Sequence, residues 1–181
     1  MSRIIFISVL IQSLFLIGPC STTQSAQLAK FGKTQYVITV AANASTPEKN
    51  AASELAVYLY QITGVNYKIM SPEKAGKKMV IAVGPKAAKT LMPAISLDKS
   101  KLGDDGIVIK STGSSIILTG AKDSKRGTLY AVYTFLEDIC GVRWWTPKDK
   151  YIPHNPKLST GKLDITYKPV FRYREALYNY L

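Results

Sequence analysis

The sequence predicts a mixed α/β (α+β) fold, a β-sheet of about six strands with two long helices packed on it. Three observations carry this. Two stretches, Ser45 to Gly64 and Asp123 to Gly141, repeat apolar residues at helical spacing and end on glycine. QYVITV at 35–40 is rich in β-branched residues, and MVIAV at 79–83 is apolar throughout, as expected of a strand covered on both faces. Gly106–Lys110 and Ser115–Thr119, joined by Ser111-Thr112-Gly113-Ser114, carry a hairpin signal.

Taken in order, the chain opens with Met1-Ser2-Arg3 and an apolar stretch from Ile4 to Gly18, followed by small polar residues from Ser21 to Ala26. One positive charge, a short apolar run and a small-residue site have the layout of a secretory signal peptide, residues 1–26, with cleavage near Ser25 or Ala26. The chain is then expected to be exported, to the periplasm or outside the cell. Leu16-Ile17-Gly18-Pro19-Cys20 also resembles a bacterial lipoprotein box, although proline directly before the cysteine departs from that pattern. Lipidation at Cys20 would make the chain an outer-membrane lipoprotein, and only then is a membrane partner expected. Cys140 reads as a small buried hydrophobe, which leaves no disulfide framework.

After the first strand, Ser45 and Glu48 fit a capping box and Pro47 fits a first helical turn. Ala51, Ala52, Leu55, Tyr58, Leu59 and Ile62 form one apolar stripe, and Gly64 supplies the left-handed residue that ends the helix. A short strand at Asn66–Met70, the strand at Met79–Val83, a short helix from Lys86 to Leu91 and a polar linker, Ser96–Asp105, lead to the hairpin. Asp123 or Ser124 caps the second long helix. On it, Leu129, Val132, Tyr133, Leu136, Ile139 and Cys140 share one face, with Phe135 at its edge. Gly141 stops this helix, and Val142–Thr146 returns as a strand. From Tyr151 the chain becomes proline-rich, with one extended segment at Lys162–Tyr167.

The 181 residues are enough for one ordinary domain, and 46% hydrophobic with 20% charged residues is a globular composition. The net charge of +12 comes from scattered lysines with no arginine-rich run or nucleic-acid motif, so no nucleic-acid partner is expected. Glycoside hydrolysis needs two facing carboxylates. Here Glu48, Glu137, Asp138, Asp104 and Asp105 have evident structural places, and no pair stands in a recognisable catalytic setting. His154 lies in a proline-rich connection, and no metal-ligand spacing, phosphate loop or nucleophile elbow occurs. No catalytic residue, metal or cofactor is expected. Gly120-Ala121-Lys122-Asp123 suits an anion-binding turn or an ordinary strand-to-helix turn. Trp144 and Trp145 are the candidates for carbohydrate contact. On a strand their rings point to opposite faces, so one enters the core and the other faces out, toward sugar or a neighbouring domain.

RGTLYAVYTFLEDICGVRWWTP at 126–147, followed by YIP, resembles the N-terminal accessory domain of the family 67 α-glucuronidases and related bacterial glycosidases, and is similar in layout to domain 2 of β-hexosaminidases. Arg126-Gly127, Tyr130, Tyr133, Leu136, Glu137, Gly141, Arg143-Trp144 and Pro147 carry the likeness, which spans about Tyr36 to Pro153. The resemblance implies an α/β layer beside a (β/α)8 barrel that bears the catalytic carboxylates. VFRYREAL resembles the first strand of such a barrel, which would give Arg174 a substrate-holding place, while Glu175 departs from the glycine common in hexosaminidases. The implied organisation is a signal peptide at 1–26, an accessory domain at 34–153, a linker at 154–169 and the truncated start of a barrel at 170–181. The implied function is a noncatalytic N-terminal domain of an exported α-glucuronidase-like hydrolase of polysaccharide such as xylan, partnered by a C-terminal catalytic barrel. The alternatives are a freestanding carbohydrate-binding module for plant polysaccharide and a binder of acidic polymers.

Overall fold

A computed structural model describes residues 25–171. The expected signal peptide up to Gln24, the lipidation candidate Cys20, and Arg174 with the rest of the expected barrel start from Arg172 lie outside the described residues.

The chain forms β1 (Ala26–Gln27), β2 (Tyr36–Val40), α1 (Thr46–Thr63), β3 (Ile69–Met70), a 3-10 turn (Pro72–Lys74), β4 (Met79–Val83), α2 (Pro85–Leu91), α3 (Lys99–Leu102), β5 (Ile107–Thr112), β6 (Ser115–Gly120), α4 (Gly127–Thr134) running into a π turn (Phe135–Ile139), β7 (Arg143–Trp144), β8 (Lys150–Tyr151), β9 (Ser159–Thr160) and β10 (Asp164–Tyr167). Six strands make the main sheet in the order β10-β5-β6-β4-β2-β3. β3, β2, β4 and β6 run parallel to their neighbours, whereas β5 joins β6 and β10 joins β5 in antiparallel pairing. The mixed six-stranded sheet with two long helices is the predicted class.

The two-residue period of the strands divides the interior in two. Tyr36, Ile38, Ile81, Val83, Ile109, Ile116 and Leu118 face one core, shared with α1 and α4. Val37, Val80, Ala82, Val108 and Ile117 face the other, closed by Ala87 and Ala88 of α2 and by Leu97 and Leu102 around α3. Burial of each large aliphatic side chain contributes about 1.5–3 kcal/mol before entropy is counted. The second core draws on smaller side chains, with Ala82, Ala87, Ala88 and Ala121 among its buried members.

Helix α1 starts and stops as its sequence specifies. The Glu48 carboxylate accepts the Ser45 backbone N–H at 3.0 Å. Gly64, at φ 73°, closes the other end by donating its N–H to the Tyr60 carbonyl at 2.7 Å. All six residues of the expected stripe are buried.

At the start of α4 three glycines meet. A Cβ on Gly120 would fall 2.6 Å from the Gly127 Cα, and a Cβ on Gly127 would fall 2.6 Å from the Gly106 carbonyl oxygen. The helix therefore begins almost in contact with the sheet backbone, which no side chain would permit. Ser124 fills its expected capping role: its Oγ accepts the Gly127 N–H at 2.8 Å and donates to the Asp104 carbonyl at 2.5 Å. Arg126 grips Asp105 with two hydrogen bonds of 3.0 Å, and this hydrogen bonding chiefly holds the guanidinium pKa above its ordinary value.

Phe135 is fully buried rather than at the edge of the stripe. The cause is the π turn, in which the Cys140 N–H reaches back five residues to the Phe135 carbonyl at 3.1 Å. The extra residue turns the stripe, so Ala131, Val132, Phe135, Leu136 and Cys140 are buried while Leu129, Tyr133 and Ile139 are half-buried. Burial pushes the Cys140 thiol pKa up to about 12.

Four expectations are corrected. The sixth strand of the sheet is β10. The expected strand at Val142–Thr146 shrinks to β7, which pairs only with β8, because the chain turns back at Thr146–Asp149, where the Thr146 hydroxyl binds the Asp149 carboxylate and N–H. The polar linker Ser96–Asp105 contains α3, capped by Asp98 accepting the Ser100 N–H at 2.8 Å. The segment 154–169, expected as a linker, belongs to the domain. Within it β10 lies on the open edge of β5 and β9 pairs with β1, with Leu158 and Leu163 buried. The domain also begins before residue 34, since Ala26, Leu28 and Ala29 are buried in the same core.

Thermal unfolding tests both helix–sheet contacts. Leu136→Ala removes a fully buried side chain and is expected to cost about 2–5 kcal/mol. Gly120→Ala forces two backbones apart and is expected to cost about 1–3 kcal/mol or more, although it adds only a methyl group.

Candidate functional site

The two tryptophans sit on the small hairpin formed by β7 and β8. Arg143 pairs with Tyr151 and Trp144 with Lys150. The turn is tied by Thr146, whose hydroxyl donates to the Asp149 carboxylate at 2.7 Å and accepts the Asp149 N–H at 2.9 Å. Trp145 adds a backbone bond to the Asp149 carbonyl at 3.0 Å. Arg143 anchors the hairpin to the preceding helix by donating to the carbonyls of Glu137 and, at 2.8 Å, Val142. An arginine there satisfies carbonyls that the end of the π turn leaves without an N–H partner.

Trp144 points inward. Its Nε1 donates to the Tyr58 hydroxyl at 3.0 Å, and its ring meets Tyr58 and Tyr133 edge-on, with centroids 5.4 and 5.2 Å away. The Lys150 ammonium lies 5.4 Å from the centre of the Tyr58 ring. Tyr133 in turn donates to Glu54 at 3.2 Å, and burial, then the Glu54 charge, pushes its pKa up to about 12. Trp144 is thereby occupied in joining the hairpin to α1 and α4. Trp145 is 69% exposed, and Tyr151 is exposed nearby on the adjoining strand. The two rings offer the aromatic faces on which sugar C–H groups or an apolar protein surface can rest.

Sequence reasoning missed Tyr151 and the clasp by Arg143. The Thr146-x-x-Asp149 spacing between WW and KY was the available hairpin signal, because these residues bind one another's backbone in tight turns. Among the described residues no helix is long and apolar enough to cross a membrane, and no three His, Cys, Asp or Glu converge as metal ligands. His154 is exposed.

The family model described as glycosyl hydrolase family 67 N-terminus matches residues 21–135. The chain belongs to this family. That match includes β2 to β6, α4 and most of the residues of both cores, and it stops before the β7–β8 hairpin. No curated protein matches the sequence. Among solved structures, this family 67 N-terminal domain is similar to a mutant Streptomyces plicatus β-hexosaminidase in complex with its product GlcNAc, at 14% identity and a TM-score of 0.49. It is also similar to the Streptomyces plicatus N-acetyl-β-hexosaminidase in complex with Thio-NAglucal, at 12% identity and a TM-score of 0.47. Each likeness covers 84% of this chain and 26% of the other, so the chain spans about a quarter of the length of those enzymes.

The two tryptophans should separate in a stability assay. Trp144→Phe removes the bond to Tyr58 and part of the packing, at an expected cost of about 1–3 kcal/mol. Trp145→Ala should stay within about 0.5 kcal/mol of the parent. Equal losses in chemical denaturation would contradict the inward and outward assignment.

Proposed function

We propose that this chain is the noncatalytic N-terminal domain of an exported glycoside hydrolase that removes glucuronate groups from xylan, with a partner (β/α)8 domain supplying the reacting carboxylates. Membership of the family 67 N-terminus carries the reading. The employment of six of the eleven described acidic side chains supports it. Glu48 and Asp98 bond helix-start backbone, Glu54 holds a tyrosine, and Asp105, Asp104 and Asp164 are paired with Arg126, Lys99 and Lys110. A general acid must instead keep its carboxyl free to meet substrate. The leader-like residues 1–26 support export, and the exposed Trp145, Tyr151 and Tyr167 are apolar surface suited to a partner domain.

In the reaction so partitioned, this chain contributes shape rather than proton transfer. Its rigid sheet would hold the aromatic hairpin at a fixed position against the partner. Purified alone, the 181 residues should not hydrolyse an aldouronic acid or an aryl glycoside; measured turnover that co-purifies with the chain would overturn the proposal.

A second reading, a freestanding carbohydrate-binding module, is favoured by the exposure of Trp145 beside Tyr151. In a calorimetric titration with xylohexaose, that reading expects saturable binding that is lost in Trp145→Ala. Binding that survives alanine at both Trp144 and Trp145 would remove the tryptophan site.

A further inference from the structure

We propose that the crevice outside the carboxyl ends of β2, β4 and β6 binds a small oligoanion, a sugar or metabolite bearing at least two carboxylate or phosphate groups. The position follows from the topology. β2 and β4 are parallel neighbours. The connection after β2 enters α1, which packs into one core, and the connection after β4 enters α2, which packs into the other. Adjacent parallel strands whose connections leave to opposite faces open a crevice between them, and that is where open α/β sheets take their ligands. Here the crevice has a volume of 520 Å³, within the range of small-molecule sites.

Its lining sets the sign of the ligand. Lys86 and Lys89 project from α2, and Lys122 and Lys125 come from the connection between β6 and α4. All four are exposed. Among the described residues the ion pairs are Lys99 with Asp104, Lys110 with Asp164 and Arg126 with Asp105, so none of the four is neutralised by an ion pair. The acids in the same lining are Glu48, committed to the Ser45 N–H, and Asp123. Four ammonium groups against two carboxylates leave the crevice positive, and a concave low-dielectric wall focuses that field. Converging like charges repel, and a bound anion relieves the repulsion. The Asn43 amide and the Ser45 hydroxyl, on the third side, suit a ligand that also carries hydroxyl groups. Lysines are mobile point charges without the planar fork of arginine, so they favour charge number over one fixed anion geometry.

Backbone-amide NMR of the full chain tests this with trigalacturonate, tripolyphosphate and neutral xylotriose. The expected result is saturable shifts confined to 43–48, 84–89 and 121–125 with one or both anions and none with xylotriose. Response to trigalacturonate alone identifies a carboxylated sugar site, to tripolyphosphate alone a phosphate site, and to both a general oligoanion site. Lys86→Gln/Lys89→Gln/Lys122→Gln/Lys125→Gln should weaken binding on the order of tenfold or more at low salt. A control removing the same charge from exposed lysines outside the crevice, Lys68→Gln/Lys74→Gln/Lys77→Gln/Lys78→Gln, should stay within roughly twofold. Absence of localised shifts, an equal response to xylotriose, or equal weakening in the two variants would overturn the site. The last outcome would reduce the effect to net charge.

Discussion

The structure depends on a close approach between backbones. Where β5 begins, where β6 ends and where α4 starts, Gly106, Gly120 and Gly127 stand so close that an added Cβ would overlap its neighbours. This contact sets the height of α4 above the sheet, and that height decides whether Val132, Phe135 and Leu136 reach the core. The ion pair between Arg126 and Asp105 and the Ser124 hydroxyl, which accepts the Gly127 N–H and donates to the Asp104 carbonyl, surround the contact. Their role explains why arginine and glycine stand together in the Arg126-Gly127 step. Arginine supplies the two-pronged grip on Asp105 and glycine supplies the clearance. The resemblance to family 67 domains was carried in part by this pair, whose chemistry is architectural.

What followed from that contact was legible only in part. The six-residue stripe of α1, its Glu48 and Gly64 boundaries, the strands at 35–40 and 79–83 and the hairpin could be read because each is specified by residues close in sequence. The burial of Phe135 could not, because a π turn adds one residue to a helix without any proline or glycine to announce it, and the periodicity was projected at 3.6 residues per turn. The strand β9 was hidden for another reason, and β10 was legible only as one extended segment without a partner. Thr160, Leu163 and Ile165 are few and sit between prolines, so their order comes from the partner edge. Ser111 exchanges bonds with Leu163, and residues 107–110 of β5 offer an open ladder. An edge strand of this kind is defined by the strand that receives it. The inward and outward division of Trp144 and Trp145 was legible from alternation alone; which ring turned inward was not, since it depends on Tyr58, distant in sequence.

The aromatic hairpin and the helix pair form one mechanical unit. Arg143 ties the hairpin to the end of the π turn, and Trp144 ties it to α1 through Tyr58 and to α4 through Tyr133. Tyr133 continues to Glu54, so a single chain of polar and ring contacts crosses from the hairpin to the outer side of α1. Such a chain restrains the hairpin more than its own two-residue ladder does. Trp145 consequently presents its ring from a firm base, which lowers the entropy lost when anything packs on it. A firmly based aromatic surface of this kind suits docking by the proposed partner domain.

The distribution of charge separates architecture from recognition. The acidic residues whose partners are defined serve helix starts, tyrosine bonds, the hairpin turn or ion pairs, and the acids number 12 against 24 lysines and arginines. A basic excess spread evenly would be explained by solubility alone. Here part of it is gathered by topology, because α2 and the connection before α4 rise on either side of one crevice. The sheet order brings Lys86 and Lys89 to face Lys122 and Lys125 even though more than thirty residues separate the pairs in sequence. The fold tolerates this repulsion at the rim of its parallel strands while it neutralises Asp105 at the glycine contact. Charges matched within the chain therefore mark what holds the domain together, and charges brought together but left unmatched mark where an outside molecule completes it.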